Sequence, residues 1–239
     1  MEYAFEWKPE FFEVVVLLAT VIVCLVGHGV TIHSSYVYKL FIRKFGEERG
    51  KIQYIFFWRY SGLLFFLLIP LTAIYTLLSQ DVTRYGVGIV NLPQSLIWIL
   101  ALGVLIVIFQ AIFARNPVNL VHYPQIRIPV WTVSLVIKNS LLWFVYLLSY
   151  EFMFRGFLLF GTTDALGVWP AILVNTVIYS LAHVTKGVRE TILAIPFGIL
   201  LCYLTLKTGT IWIAVCLHFI LAVSNDIFSL LAHPEMKIK

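Results

Sequence analysis

The chain has 239 residues, of which 61% are hydrophobic and only 12% are charged, and its mean hydropathy is +0.93. A water-soluble domain carries about 25% charged residues, and a disordered chain combines high charge with few aromatic residues, whereas 16% of this chain is aromatic. Both classes are excluded, and a multi-pass membrane protein remains. The net charge of +5 is small and spread over loops, so we predict no nucleic-acid partner.

The apolar runs are long enough for membrane-spanning helices, which need about 20 predominantly apolar residues. Membrane β-barrels show weaker alternating segments of about 10 residues instead. We therefore predict an all-α fold, a polytopic transmembrane helical bundle of about seven spans in a single integral membrane domain (1–239). Segment 131–138 is expected to lie in the interface before the fourth span. The spans are predicted at 11–33, 54–79, 95–114, 139–161, 168–185, 189–206 and 209–232.

Lys and Arg residues in the loops predict the orientation, because cytoplasmic loops carry an excess of them. One side carries eleven such residues and the other four, among them Lys8 and Arg155. We predict a cell-membrane protein with its N-terminus outside and its C-terminus in the cytoplasm, surrounded by the lipid bilayer. The basic segment 39–51 then faces the cytoplasmic leaflet, where it can attract anionic lipid, although such loops more often serve topology alone.

Polar and ionisable side chains gather in the last four predicted spans. Each Arg, Lys or Asp inside a span costs about 2.5–3.5 kcal/mol on insertion, which points to function. Glu151 and Arg155 are four residues apart and can pair on one helix face, with a purely structural ion pair as an equal alternative. For a lone histidine, a structural role is the better expectation. The set comprises Glu151, Arg155, Asn175, His183, His218, Asn225 and Asp226.

The depths of three of these residues are compatible with one cavity that opens inward. At a rise of about 1.5 Å per residue, Glu151 and His218 both lie about 14 Å from the outer ends of their spans, and His183 about 22 Å. One carboxylate and two imidazoles can activate water by general-base catalysis. Equally, Glu151, His183 and His218 can hold a divalent metal, with zinc as the first choice, and leave one position open for water.

Three stretches resemble the motifs of the CAAX-protease and bacteriocin-processing (CPBP) family of intramembrane metalloproteases, which is similar to the type II CAAX prenyl endopeptidases. Tyr150-Glu151-Phe152-Met153-Phe154-Arg155-Gly156 resembles that family's Glu-Glu-x-x-x-Arg motif. Tyr179-Ser180-Leu181-Ala182-His183 resembles its Phe-x-x-x-His motif, and His218-Phe219-Ile220-Leu221-Ala222 its His-x-x-x-Asn motif. The resemblance covers about 150–230 and implies a catalytic core over 139–232.

Three positions depart from the family pattern. Tyr150 stands where the family has its first Glu, which is held to activate water, and Glu151 matches the second Glu. Ala222 replaces the motif Asn, with Asn225 one turn away, and Tyr179 replaces Phe. Either Glu151 takes over the activation of water, or the protein is a catalytically impaired relative.

The resemblance implies an intramembrane endopeptidase that acts on a peptide or membrane-protein substrate. Water would be activated between Glu151 and His183, with a divalent metal as a further possibility. His218, helped by Asn225, would stabilise the oxyanion, and Arg155 would anchor Glu151. The alternatives are a non-catalytic relative that binds peptides, for instance in bacteriocin self-immunity, and a proton-coupled transporter with a midplane relay.

Overall fold

Seven long helices dominate the computed structural model, which describes residues 11–239. Each is long and apolar enough to cross a bilayer, so the predicted all-α bundle of about seven spans is confirmed. The protein is therefore an integral membrane protein. The first to seventh spans are Phe11–Ile32, Glu47–Leu78, Leu92–Phe113, Val133–Leu166, Val168–Lys186, Val188–Thr208 and Trp212–Ala232.

Two short strands pair across the bundle. β1 (Val130–Trp131) precedes the fourth span, β2 (Lys237–Ile238) follows the seventh, and the two are parallel. The chain crosses the bundle four times between β1 and β2, so both strands lie on the same side of it. We call this side, which also carries the segment 39–51, the basic side. Its cytoplasmic location remains a prediction, and Lys8 lies outside the described residues.

The second and fourth spans begin earlier than predicted. Hydropathy misses the first turns of the second span because they are polar, but Glu47 at the start favours a helix N-terminus. The fourth span begins at Val133, where the Thr132 hydroxyl accepts a hydrogen bond from the Leu135 amide at 3.1 Å. Residues 133–138 of segment 131–138 are therefore the first turns of this helix, and their location in the membrane interface stays a prediction.

A further helix, Ser35–Phe45, was not predicted and lies between the first two spans. The Ser34 hydroxyl caps it by accepting from the Val37 amide at 3.3 Å. The helix packs closely on the second span at Gly50, where an added Cβ would lie 2.9 Å from the Ile42 Cα. A side chain there would force the two helices apart.

Shorter helical segments connect or interrupt the spans. They are the 3₁₀ turns Val82–Tyr85 and Val184–Lys186, the single turn Pro117–Leu120, and the π-helical stretches Leu64–Leu68, Ile74–Leu78 and Phe152–Phe160.

The seventh span is central to the packing. It lies against the third, fourth and sixth spans, while the fifth packs on the sixth and the second on the fourth. The fourth, fifth and seventh spans, which carry the three sequence motifs, therefore lie close together.

Candidate active site

The fourth span changes its hydrogen-bond pattern at the first motif. The α-helix ends at Glu151, and Phe152–Phe160 is π-helical. π-Helical turns are rare and often occur at functional sites. The side-chain amide of Asn175 donates to the Phe154 carbonyl at 2.5 Å, and its oxygen accepts from the Cys202 thiol at 3.2 Å. Asn175, on the fifth span, therefore connects the π-helical stretch of the fourth span with the sixth span.

Glu151 and Arg155 form the ion pair that their spacing predicts. Glu151 Oε2 lies 3.2 Å from Arg155 Nη1, and both side chains are fully buried. The guanidinium also lies over the Tyr179 ring, 4.2 Å from its centroid, and its Nη2 is 3.5 Å from the Gly198 carbonyl. Arg155 therefore fixes the orientation of the carboxylate.

The other oxygen of Glu151 contacts His218. Nδ1 of His218 lies 2.5 Å from Glu151 Oε1. An ionised carboxylate only accepts hydrogen bonds, so Nδ1 carries the proton and Nε2 of the neutral ring keeps its lone pair. Glu151 thus fixes the tautomer of His218 and can stabilise a positive charge on its ring. The buried aspartate of a serine-protease triad does the same for its general-base histidine.

His183 is held in the same tautomer by the backbone. Its Nδ1 lies 2.8 Å from the carbonyl oxygen of Tyr179. A carbonyl cannot donate, so Nδ1 carries the proton and Nε2 again keeps the lone pair. The neutral forms of both histidines are therefore hydrogen-bond acceptors at Nε2.

The Tyr150 ring lies close to both histidines. Its ring centroid is 6.4 Å from that of His183 and 5.9 Å from that of His218. Phe66 and Phe154 pack against the same ring at 5.5 and 4.6 Å. The residue that departs from the family motif is thus in the centre of the site.

A cavity of about 520 Å³ leads to these groups from the basic side. Tyr150, Tyr179, His183 and His218 are among the residues that line it, whereas Glu151 is not. Its mouth on the basic side holds polar residues, namely Asn119, His122, Tyr123, Lys186, Arg189 and Glu190. Its apolar wall comes from the third and sixth spans: Leu102, Leu105, Ile106, Phe109, Phe113, Leu193, Phe197 and Leu200.

Tyr123 and Glu190 meet at the mouth of this cavity. The Tyr123 hydroxyl donates to Glu190 Oε2 at 3.4 Å. Burial, and secondly the negative charge of Glu190, raise the pKa of Tyr123 well above its ordinary value. Tyr123 therefore remains a neutral donor over the physiological pH range.

Asn225 lines the same cavity but does not join His218. Its oxygen accepts from the Asn119 side-chain amide at 3.0 Å and lies 3.5 Å from the Ser229 hydroxyl. Seven residues of helix separate Asn225 from His218, which is about 10 Å along the axis. The expected help to His218 is therefore not supported by this geometry.

The expected metal ligands are not gathered into one coordination site. Within residues 11–239, no group of three His, Cys, Asp or Glu side chains is arranged to hold a metal ion. Glu151 directs one oxygen to Arg155 and the other to His218. The zinc set of Glu151, His183 and His218 does not fit this arrangement.

A second buried ionic cluster was missed at the sequence level. Asp226 Oδ2 accepts from Asn139 Nδ2 at 2.9 Å and from Trp143 Nε1 at 2.7 Å, and it lies 3.8 Å from Arg59 Nη2. Arg59 also donates to the Asn139 oxygen Oδ1 at 2.6 Å. The signal was present, because charges of opposite sign inside two spans are expected to pair.

The type II CAAX prenyl endopeptidase Rce1-like family matches residues 129–224. This part of the chain is similar to that family, and the match covers less than half of the sequence. The match confirms the resemblance drawn from the three motifs, and Glu151, His183 and His218 fall within it. No curated protein sequence and no solved structure matches the chain. The Rce1-like region thus supports a protease-type enzyme in general.

Proposed function

We propose that the protein is an intramembrane endopeptidase in which His218, backed by Glu151, activates the attacking water. The observation that carries this proposal is the 2.5 Å contact between His218 Nδ1 and Glu151 Oε1 at the wall of the cavity. The proposal differs from the pairing of Glu151 with His183 expected from sequence. Glu151 is fully buried and bound on both oxygens, so it acts through His218.

In the first step, the water oxygen attacks the carbonyl carbon of the peptide bond. Nε2 of His218 takes a proton from the water as the new C–O bond forms, and the π electrons move to the carbonyl oxygen. In the second step the C–N bond breaks, and the imidazolium returns its proton to the departing amine. The products are a carboxylic acid and an amine, and His218 is neutral again.

His183 positions the water in this scheme. Because its Nδ1 proton is held by the Tyr179 carbonyl, Nε2 can accept a hydrogen bond from the water but cannot donate one. The attacking water can donate one hydrogen bond to each histidine, which leaves an oxygen lone pair for the attack. No step requires a metal ion.

The shape of the cavity supports a hydrophobic peptide segment as substrate. Its wall between the third and sixth spans includes Leu105 and Phe109, which are exposed on the outer surface of the bundle, where lipid surrounds a membrane protein. The polar mouth lies at the basic side. A substrate with an apolar tail can therefore enter from the bilayer while its polar backbone faces the mouth. Because the matching family is named for prenyl endopeptidases, a prenyl group is the first apolar tail to test.

The test is cleavage by the purified protein in lipid vesicles, with one peptide supplied in prenylated and unmodified forms. His218→Ala and His183→Ala are expected to abolish cleavage. His33→Ala is the matched control, because His33 is exposed at the end of the first span, and it should cleave as wild type does. Equal cleavage by all four proteins would overturn the proposal.

The alternatives give different outcomes in the same preparation. A non-catalytic relative would bind the peptide without cleaving it, and the histidine variants would not alter the product yield. A proton-coupled transporter would accumulate a solute in the vesicles under a pH gradient. Tyr150 and Ala222 were the sequence features that favoured a non-catalytic relative.

A further inference from the structure

The proposed hydrolysis leaves one requirement without an assigned group. Negative charge develops on the carbonyl oxygen as water attacks, and enzymes stabilise it with hydrogen-bond donors fixed in advance. Neither histidine can provide that donor in its neutral form, because each Nδ1 proton is already bound to Glu151 or to the Tyr179 carbonyl. The Nε2 proton that His218 gains in the first step is passed to the departing amine, so a donor present before the attack must come from another group on the cavity wall.

Tyr150 has the properties that this role requires. It lines the cavity with its ring close to both His183 and His218, and it is only 6% exposed. Phe66 and Phe154 hold the ring from the sides. Its hydroxyl makes no hydrogen bond with any residue in the described part of the chain, yet it is not sealed away from the cavity.

Two other polar side chains on the wall are less suitable. Asn225 lies two helical turns along the axis from His218, too far for its amide to reach a carbonyl beside that ring. The Tyr179 ring is stacked against the Arg155 guanidinium and is only 1% exposed. Tyr150 is therefore the phenol best placed to reach a carbonyl between the two histidines.

We propose that Tyr150 is a catalytic residue whose hydroxyl donates a hydrogen bond to the oxyanion of the tetrahedral intermediate. The proton stays on the phenol throughout, so the proton balance of the hydrolysis is unchanged. On this view, tyrosine at the position of the first motif Glu is a functional substitution rather than a loss. The inference rests on the proposed endopeptidase function.

The experiment compares Tyr150→Phe and Tyr150→Glu in the vesicle cleavage assay. Removing an oxyanion donor lowers kcat by about 10²–10³-fold, and we expect this loss for Tyr150→Phe with little change in KM. We also expect weaker binding of a peptide aldehyde, whose hydrate mimics the intermediate. Tyr150→Glu should be inactive as well, because a carboxylate cannot donate to an oxyanion. Thermal unfolding checks that both variants fold.

The control is Tyr75→Phe, which removes the same hydroxyl from a tyrosine exposed on the outer surface of the second span and should leave kcat unchanged. If Tyr150→Phe cleaves as fast as wild type, the inference is overturned and the endopeptidase proposal stands. If Tyr150→Glu cleaves faster than wild type, tyrosine at this position impairs a reaction that glutamate supports, and the inference is also overturned. If wild type cleaves nothing, both proposals fall together.

Discussion

The buried pair of Glu151 and Arg155 allows a stability effect to be separated from a catalytic one. Both side chains are fully buried, and their charged atoms are 3.2 Å apart. Removing one partner leaves an uncompensated buried charge, which costs about 3–5 kcal/mol. Replacing both by neutral groups removes that penalty, so the double variant should be more stable than either single variant.

The variants are Glu151→Gln, Arg155→Met and the two combined. Because about 1 kcal/mol shifts the midpoint of a chain of this size by about 2–4 °C, each single change should lower the Tm by roughly 10 °C. The double variant should recover most of this loss. The assay is thermal unfolding of the purified protein in one detergent, followed by the near-ultraviolet signal of its tryptophans.

Activity should not follow stability in this series. Glutamine at position 151 cannot stabilise a positive His218 ring, and the corresponding change in a serine-protease triad lowers kcat by about 10⁴-fold. Both Glu151→Gln and the stable double variant should therefore be inactive, with KM little altered. An active double variant would show that the carboxylate does not assist His218.

The matched control is the pair of Glu47 and Lys51, which has the same four-residue spacing and a 2.8 Å contact at the exposed start of the second span. Water solvates these charges, so the corresponding single and double changes should leave Tm unchanged. The reasoning is refuted if the double variant at Glu151 and Arg155 loses as much stability as the two single variants added together.

Two further predictions concern other parts of the bundle. Asp226→Asn should destabilise the protein by about 3–5 kcal/mol, since Arg59 then keeps a buried charge without a counter-ion; an unchanged Tm would contradict this. Gly50→Ala should cost about 1–3 kcal/mol because its Cβ would meet the Ile42 backbone, whereas Gly29→Ala, with no atom within 4 Å of the added Cβ, should not destabilise. Equal melting of the two alanine variants would show that the helices separate without cost.

The sequence predicted the fold class and the convergence of the site because both follow from hydropathy and helical rise. The count of seven spans was confirmed, and the equal depths assigned to Glu151 and His218 agree with their direct contact. Depth says nothing about how each helix is rotated. The sequence therefore led us to predict that Glu151 acts together with His183, whereas its side chain contacts His218.

Rotation of the helices also explains what was missed. Asp226 was recognised as polar, but its partner Arg59 lies five spans earlier in the chain, and no periodicity links two distant helices. Strands of two residues such as β1 and β2 carry no alternation that could predict them. The position of Tyr150 close to both histidines likewise depends on how three helices pack, which the sequence of one motif does not reveal.

The parallel pairing of β1 with β2 has a consequence for how the bundle is divided. The Lys239 amide donates to the Trp131 carbonyl at 2.8 Å, and the Lys237 amide donates to the Pro129 carbonyl at 3.0 Å. The segment that contains the last four spans therefore has its two ends hydrogen-bonded to each other. The family match starts next to the first of these ends, at residue 129. In covalent terms the first three spans join these four through the one segment that precedes β1, although the third packs on the seventh and the second on the fourth.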